Sequence, residues 1–230
     1  MGRVRSTHYK WYRDQLSGVK SSNPFSTVIF LSTSQFSFSM TTVMTRDQAL
    51  WNKALFILFC LTLPVFLLLL SYKLTLAFYP LTPPQENTLN FLHGQEMLTV
   101  PYAEQELSHL RDVQKVMDKV DFVFYLLLIA VVSLFSFSWR AKTSRAFLRW
   151  GGLTTLAVVG IVLLFLLLSF TSVFTLFHQL FFPQGNWLFP EESLLIRTFP
   201  QEFFVKVGLT IFLLAVFMGL CLLILSSIKK

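Results

Sequence analysis

The 230-residue chain is too apolar for an ordinary soluble domain, because 54% of its residues are hydrophobic, only 13% are charged, and Phe occurs 26 times. Soluble domains carry about 25% charged residues, so the composition indicates a membrane protein. The formal net charge of +7 is not arranged as a basic face interleaved with aromatic residues, and no nucleic-acid partner is expected. The two cysteines, Cys60 and Cys221, lie inside apolar runs, so the sequence predicts neither a disulfide framework nor a cysteine metal site.

The segment 1–45 is basic and rich in Ser and Thr, and its one dense apolar run, 28–31, is too short to cross a membrane. We predict that this segment is disordered. Met40 and Met44 stand just before the first long apolar stretch, so the segment is either a cytoplasmic tail or the product of an over-long gene model. Its composition also fits an organellar transit peptide, although the rest of the chain gives that interpretation no support.

Residues 46–230 contain four stretches that are long and apolar enough to cross a hydrocarbon core of about 30 Å: about 52–78, 121–139, 152–178 and 204–227. Backbone polar groups in lipid are satisfied only in helices or closed barrels, and these runs lack the alternation of barrel strands. The sequence therefore predicts an all-α integral membrane protein with four transmembrane helices.

Charge indicates how these helices are oriented. The link between the second and third spans is basic and contains no acidic residue, whereas the segments 79–120 and 179–203 carry most of the acidic residues. By the positive-inside rule, the basic link is cytoplasmic and the two acidic segments lie outside. Both termini are then predicted to lie inside.

The first outer segment is predicted to end in an amphipathic helix, 103–120, that leads into the second span, because its apolar residues recur at helical spacing. His109 lies on the flank of the apolar stripe. Asp112 and Glu106, three residues after and before it, are each within reach of the ring on a helix and would fix its tautomer. Taken alone, His109 is better explained as a solvated residue among ordinary helix charges.

The second outer segment begins with a short polar stripe of Thr171, Thr175 and His178 at the outer end of the third span. Such a stripe should face the interior of the bundle or a wet cavity. Aromatic residues separated by Pro and Gly follow, and they predict an interfacial or re-entrant hairpin. A lone interfacial histidine is common, but His178 and His109 are predicted on the same side of the membrane. His93 and His8 do not lie on such patterned helices and are interpreted as loop residues.

Sequence motifs of hydrolases, nucleotide-binding loops and metalloenzymes are absent from the 230 residues, so no cofactor and no metal are expected. Cys60 and Cys221 are interpreted as packing residues in the inner halves of their spans rather than as nucleophiles.

Two blocks of the sequence, 106–113 and 177–204, resemble the lipoprotein intramolecular transacylase (Lit) family of low-GC Gram-positive bacteria. The second block is the more specific, because a His, a Phe pair, a Trp-x-Phe-Pro motif and a Phe-Pro pair recur in one order within 28 residues. The resemblance covers roughly 52–227, with four spans in matching places. Leu110 stands where the family usually has Met, a change that should not affect the chemistry, and 1–45 has no recognised counterpart.

The resemblance implies a multi-pass protein of the plasma membrane with its active site on the outer side, and a diacylated lipoprotein as substrate among the membrane lipids. In the implied reaction, the sn-2 acyl chain of the diacylglyceryl-cysteine moves to the α-amino group of the same cysteine and leaves a lyso-form lipoprotein. His109 and His178 would be the general base and general acid, in an order that the sequence does not assign. Candidates for the oxyanion donor are Tyr102, Asn186 and Trp187.

The alternative is a non-enzymatic membrane protein, such as an assembly factor or a channel-like subunit, that binds a partner through its outer loops. It explains the spans, the aromatic residues and the charge equally well. It gives no reason for two outer histidines on apolar-facing sides of helices, and polar positions along several spans, which a channel would require, are not found.

The predicted topology is testable by cysteine-accessibility labelling from outside intact cells. A reagent that does not cross the membrane should label cysteines introduced at Gln95 and Gln184 but not one introduced at Lys142. Labelling at Lys142 from outside would reverse the orientation.

Overall fold

The computed structural model describes the backbone of residues 24–228 and the side chains of residues 46–228. Over this range the chain is helical with no strand, and the helices are α1 (Pro24–Phe78), α2 (Pro83–Leu92), α3 (Glu104–Arg140), α4 (Ser144–Leu168), α5 (Phe170–Phe181), α6 (Leu194–Thr198) and α7 (Gln201–Ser227). The chain divides into two units, Met1–Asn52 and Lys53–Lys230. The first unit contributes the beginning of α1, and all contacts described below lie within the second. The all-α prediction is confirmed for the described residues.

Four of the helices are long and apolar enough to cross a membrane, as the sequence predicted: Arg46–Phe78 within α1, and the whole of α3, α4 and α7. The protein is therefore a multi-pass membrane protein. Its orientation remains a prediction from charge.

The first helix starts earlier than expected. It begins at Pro24, well before the first span predicted from about residue 52. The disorder of 1–45 stays a prediction, and residues 1–23 lie outside the described part of the chain. Extending an existing helix costs far less than nucleating a new one, which allows a Ser/Thr-rich segment to continue the apolar span in helical form.

Helix α3 combines two predicted elements in one. The amphipathic helix 103–120 and the second span 121–139 form a single helix of 37 residues, about 55 Å long at 1.5 Å per residue. That length exceeds the hydrocarbon core of about 30 Å. Its first five turns, which carry His109, therefore extend beyond the apolar stretch that crosses the membrane.

The third predicted span, 152–178, is wrong at its outer end. Helix α4 stops at Leu168, and Ser169 has φ −158° and ψ 81°, outside the helical region. The Ser169 hydroxyl donates a hydrogen bond to the Ser172 hydroxyl at 2.7 Å. The polar stripe with His178 consequently belongs to a separate helix, α5.

Aromatic and aliphatic side chains of α1, α3 and α4 form the core of the bundle. Its buried members are Phe59, Leu63, Phe66, Leu67, Val131, Leu134 and Phe147. The rings of Phe59 and Phe147 lie 5.0 Å apart between centroids. Since lipid is as apolar as these side chains, their close packing rather than hydrophobicity holds the helices together.

Helices α4 and α7 approach closely at a pair of glycines. A Cβ atom added at Gly152 would lie 2.9 Å from the backbone oxygen of Gly219 and 3.0 Å from a methyl carbon of Leu223. Small residues allow helix backbones to approach in this way in membranes. The contact depends on the absence of a side chain at Gly152.

A second core lies beside the membrane bundle and joins the two long segments between spans. Its buried members are Leu92, Tyr102, Leu110, Leu195 and Phe199. The Gln85 amide strengthens this assembly, because its Nε2 donates to the carbonyl oxygen of Thr198 at 2.8 Å. Parts of the chain that are distant in sequence thus form one folded cap around the first turns of α3.

The glycine contact predicts opposite effects of the same substitution at two positions of α4. Gly152→Ala should lower the thermal unfolding midpoint in detergent, with an overpacking cost of about 1–3 kcal/mol. Gly160→Ala is the matched control, because a Cβ there meets nothing within 4 Å, and it should be neutral or stabilise by up to about 1 kcal/mol through helix propensity. Equal midpoints for the two variants would contradict the packing argument.

Candidate active site

The Glu106 carboxylate anchors the site region. It is buried, with 3% of the residue exposed. Its Oε2 accepts a hydrogen bond from the backbone N–H of Ala103, and its Oε1 accepts one from the backbone N–H of Leu195, both at 2.7 Å. The carboxylate thus ties the start of α3 to the start of α6, where the N-terminal ends of both helices favour a negative charge.

His109 lies one turn farther along α3, on a buried face. Only 7% of the residue is exposed. The centroid of its ring lies 4.7 Å from that of Phe182 and 5.6 Å from that of Phe189. Its Nδ1 atom is buried and has no hydrogen-bond partner among the described residues.

His178 lies in the last turn of α5 and has a defined tautomer. Its Nδ1 is 2.8 Å from the carbonyl oxygen of Phe174. A carbonyl oxygen only accepts hydrogen bonds, so Nδ1 carries the proton in the neutral ring and Nε2 has the free lone pair. The ring contacts Phe174, Phe182 and Trp187, at centroid separations of 4.0, 5.6 and 4.9 Å.

The two histidine rings are neighbours, although they come from different helices. Their centroids lie 6.1 Å apart and their planes are inclined by 27°. Phe182 contacts both rings. Two titratable side chains are thereby enclosed together by aromatic ones.

This environment holds both imidazoles neutral. Burial, followed by repulsion from His178, lowers the pKa of His109 from 6.5 to about 4, against opposing effects of Asn186 and Asp112. Burial also lowers the pKa of His178, in part offset by its hydrogen bond to the Phe174 carbonyl. Since each ring disfavours a charge on the other, the pair accepts at most one proton near neutral pH.

Asp112 does not hydrogen-bond to His109, so the predicted direct contact is wrong. Its Oδ1 accepts from Lys115 Nζ at 2.8 Å, and its Oδ2 accepts from Gln184 Nε2 at 2.8 Å and from Asn186 Nδ2 at 2.9 Å. These hydrogen bonds, that of Lys115 first, keep the pKa of the Asp112 carboxyl below its usual value. Asp112 is three residues from His109 on the helix, but its Oδ2 accepts from Gln184 and Asn186 on a different segment instead.

The turn that supplies these partners depends on Gly185, whose φ of +77° is a conformation that side-chain-bearing residues rarely adopt. It allows Gln184 and Asn186, on either side of it, to donate to the same carboxylate oxygen. Nothing in a single sequence connects this turn to Asp112, although the Gln-Gly-Asn spacing does predict a tight turn.

The remaining predicted residues divide between the site and its surroundings. Trp187 contacts the His178 ring, and Asn186 lies between Asp112 and His109. Tyr102 instead packs in the second core, where its hydroxyl is 2.8 Å from Thr88 Oγ1. Because that Thr88 hydroxyl donates to the Pro84 carbonyl, Tyr102 is the donor between them, and its proton is not directed to the histidines.

The aromatic residues between α5 and α7 line the site. Phe182 and Phe189 cover His109, a role that composition could not distinguish from membrane anchoring. The segment 182–193 lacks regular structure before α6 begins. Within the described residues, no group of three or more His, Cys, Asp or Glu side chains is arranged to hold a metal.

Comparison with known proteins identifies a family. The sequence model of the family described as lipoprotein intramolecular transacylase Lit matches residues 71–204, a stretch that includes His109, His178 and the residues around them. No curated protein matches the sequence.

The fold is similar to solved structures of the membrane-integral lipoprotein intramolecular transacylase Lit from Bacillus cereus. One has a TM-score of 0.69 at 18% identity and covers 77% of this chain and 94% of its own. Two others are variants with one histidine replaced by arginine or by alanine. Their TM-scores are 0.69 and 0.67, their identities 17% and 18%, and they cover 81% and 78% of this chain and 95% and 93% of their own. Since the family model matches more than half of the sequence, the chain belongs to the lipoprotein intramolecular transacylase family and is a membrane-bound acyltransferase.

Proposed function

We propose that this protein converts diacylated lipoproteins to the lyso form. The α-amine of the N-terminal cysteine attacks the carbonyl carbon of the sn-2 ester, a C–N bond forms, and the C–O bond to the glyceryl oxygen breaks. The amine loses one proton and the glyceryl oxygen gains one, so atoms and charge balance. Amine and ester belong to one molecule, and proximity therefore supplies much of the rate enhancement without an enzyme nucleophile.

The observation that carries this proposal is the approach of two neutral imidazoles from different helices, 6.1 Å apart between ring centroids. The reaction needs a proton acceptor and a proton donor close together, and neutral imidazoles are suited to both tasks. The family membership also decides against the alternative of a non-enzymatic partner-binding protein.

The tautomer of His178 supports an order for the two roles. Its Nδ1 proton is engaged by the Phe174 carbonyl, so its Nε2 lone pair is available to take the proton from the attacking amine. His178 is then the base. His109 receives this proton from His178 at Nε2 and passes it to the leaving glyceryl oxygen, and its lowered pKa, about 4, makes the protonated ring a strong acid toward that oxygen.

Mutual repulsion of the rings fits this single-proton relay. A proton received at one ring lowers the affinity of the other for a second proton, so the pair returns to neutral as soon as the leaving oxygen is protonated. The predicted topology would locate the reaction at the outer leaflet, where the lipid anchor of a lipoprotein lies.

Both histidines should be required for turnover. His109→Ala and His178→Ala should each lower conversion of a diacylated lipopeptide by roughly 10²–10⁴-fold, and the double variant should be little worse than either single one. Acyl migration leaves the mass unchanged, so the product is measured by loss of the free amine and by fragmentation to N-acyl-cysteine. His93→Ala is the matched control, because His93 is exposed and its Nδ1 bonds only to the carbonyl of its own helix.

Full conversion by either site variant, at normal expression, would remove that histidine from the mechanism. Loss of conversion in His93→Ala as well would indicate a general effect of replacing histidines.

The pH dependence of kcat/KM should show the ionisation of the substrate amine separately from that of the histidines. Because the substrate amine has a pKa near 8, log kcat/KM should fall with a slope of one below that pH. Burial lowers the pKa of both histidines, so the rings remain neutral and able to accept a proton to lower pH than a free imidazole. The slope should therefore steepen to two only below about 6.5, the ordinary value for His. Steepening already above that value would contradict the depressed pKa values.

A further inference from the structure

A polar chain connects Asp112 to His109 through the side chain of Asn186. We propose that Asn186 is a positioning residue for His109, and that Asp112 sets the orientation of the Asn186 amide so that its Oδ1 accepts a hydrogen bond from Nδ1–H of the ring. This inference deepens the proposed function and rests on the role of His109 in it.

The orientation of the amide follows from the chemistry of its partner. An ionised carboxylate only accepts hydrogen bonds, so the Asn186 atom that lies 2.9 Å from Asp112 Oδ2 must be Nδ2. The same Nδ2 lies 3.4 Å from the Ser108 hydroxyl oxygen. The amide oxygen is consequently turned away from Asp112 and Ser108.

Two buried polar atoms of these side chains still lack a partner. Asn186 Oδ1 and His109 Nδ1 are both buried and both lack a hydrogen-bond partner in the described part of the chain. The Asn186 side chain nevertheless favours a proton on the His109 ring, as an acceptor oxygen does. A buried donor or acceptor without a partner costs about 1–3 kcal/mol, and catalytic hydrogen bonds are often long before substrate binds and tighten in the complex. A hydrogen bond from His109 Nδ1–H to Asn186 Oδ1 would satisfy both atoms at once.

The consequence concerns the other ring nitrogen. When Nδ1 carries the proton and donates it to Asn186, the His109 Nε2 has a free lone pair, as the proposed relay from His178 requires. The opposite amide orientation would present an N–H to Nδ1 and stabilise the Nε2–H tautomer, which has no lone pair there to receive a proton. Asp112 thus acts on His109 without touching it.

The test compares the tautomer of His109 with turnover in full-length protein labelled with ¹⁵N-histidine in detergent. Chemical shifts distinguish Nδ1–H from Nε2–H rings, and His109→Ala identifies the signal. The unsubstituted protein should show Nδ1–H. Asp112→Asn replaces an acceptor by a group that also donates, so the amide of Asn186 is no longer fixed, and a mixture of tautomers with a roughly tenfold to hundredfold lower turnover is expected.

A charge-swapped double variant supplies the rescue. In Asp112→Asn combined with Asn186→Asp, the carboxylate faces the ring and accepts from Nδ1–H, while the amide at position 112 donates to it. This variant should restore the Nδ1–H tautomer and raise turnover above that of Asp112→Asn alone. Lys115→Met is the matched control: it removes the other partner of Asp112, at Oδ1, and should leave the His109 tautomer unchanged.

An unchanged tautomer in Asp112→Asn, or a double variant that restores neither tautomer nor turnover, would overturn the inference. Failure of the proposed function is recognised by a different measurement, because His109→Ala would then keep its activity. The tautomer of His109 in the unsubstituted protein is measured without any turnover and therefore tests the inference independently.

Discussion

The buried carboxylate of Glu106 is the interaction on which the arrangement of the site depends. It accepts one backbone N–H at the start of α3 and another at the start of α6. Two segments that are far apart in sequence and that share the second core are thereby held at a fixed distance. His109 follows one turn later on the rigid helix α3, and the chain leading to α6 covers it with Phe189. A buried anion is costly unless fully paired, and here amide donors satisfy both oxygens.

Aromatic enclosure of the histidines has two effects that act together in the proposed reaction. It removes the rings from water and so lowers the pKa of both, which keeps them neutral and able to accept a proton. It also limits the access of water to the reacting carbonyl. An acyl group that is leaving an ester can be captured by water as well as by an amine, and a site lined by Phe174, Phe182 and Trp187 favours the amine that is already tethered in place.

The sequence predicted the four apolar helices and singled out the two histidines whose rings the structure brings together, because span length and helical spacing are local properties. It failed where the outcome depended on contacts between distant segments. The break at Ser169 divides an apolar run that has no proline or glycine at that point, and only the backbone dihedral angles reveal it. Asp112 satisfied the helical spacing for a contact with His109, yet the turn at Gly185 supplied stronger partners from another segment. Glu106 was expected beside the histidine, whereas two backbone amides hold it.

The break at Ser169 has a consequence for how the site meets its substrate. Helix α5 carries His178 but contains no buried residue, so its own packing contributes little to holding it, and its contacts with the remainder of the site run mainly through the His178 and Phe174 rings. Helix α3, in contrast, holds His109 through two cores and the Glu106 anchor. One histidine is therefore fixed on a rigid element and the other on a short helix joined to its span by a non-helical residue. In the proposed reaction a substrate with two acyl chains has to reach both rings, and local stability is lowest where few side chains are buried. The division of one apolar run into α4 and α5 thus separates the packing of the helix that carries His178 from the packed bundle that continues into the helix of His109.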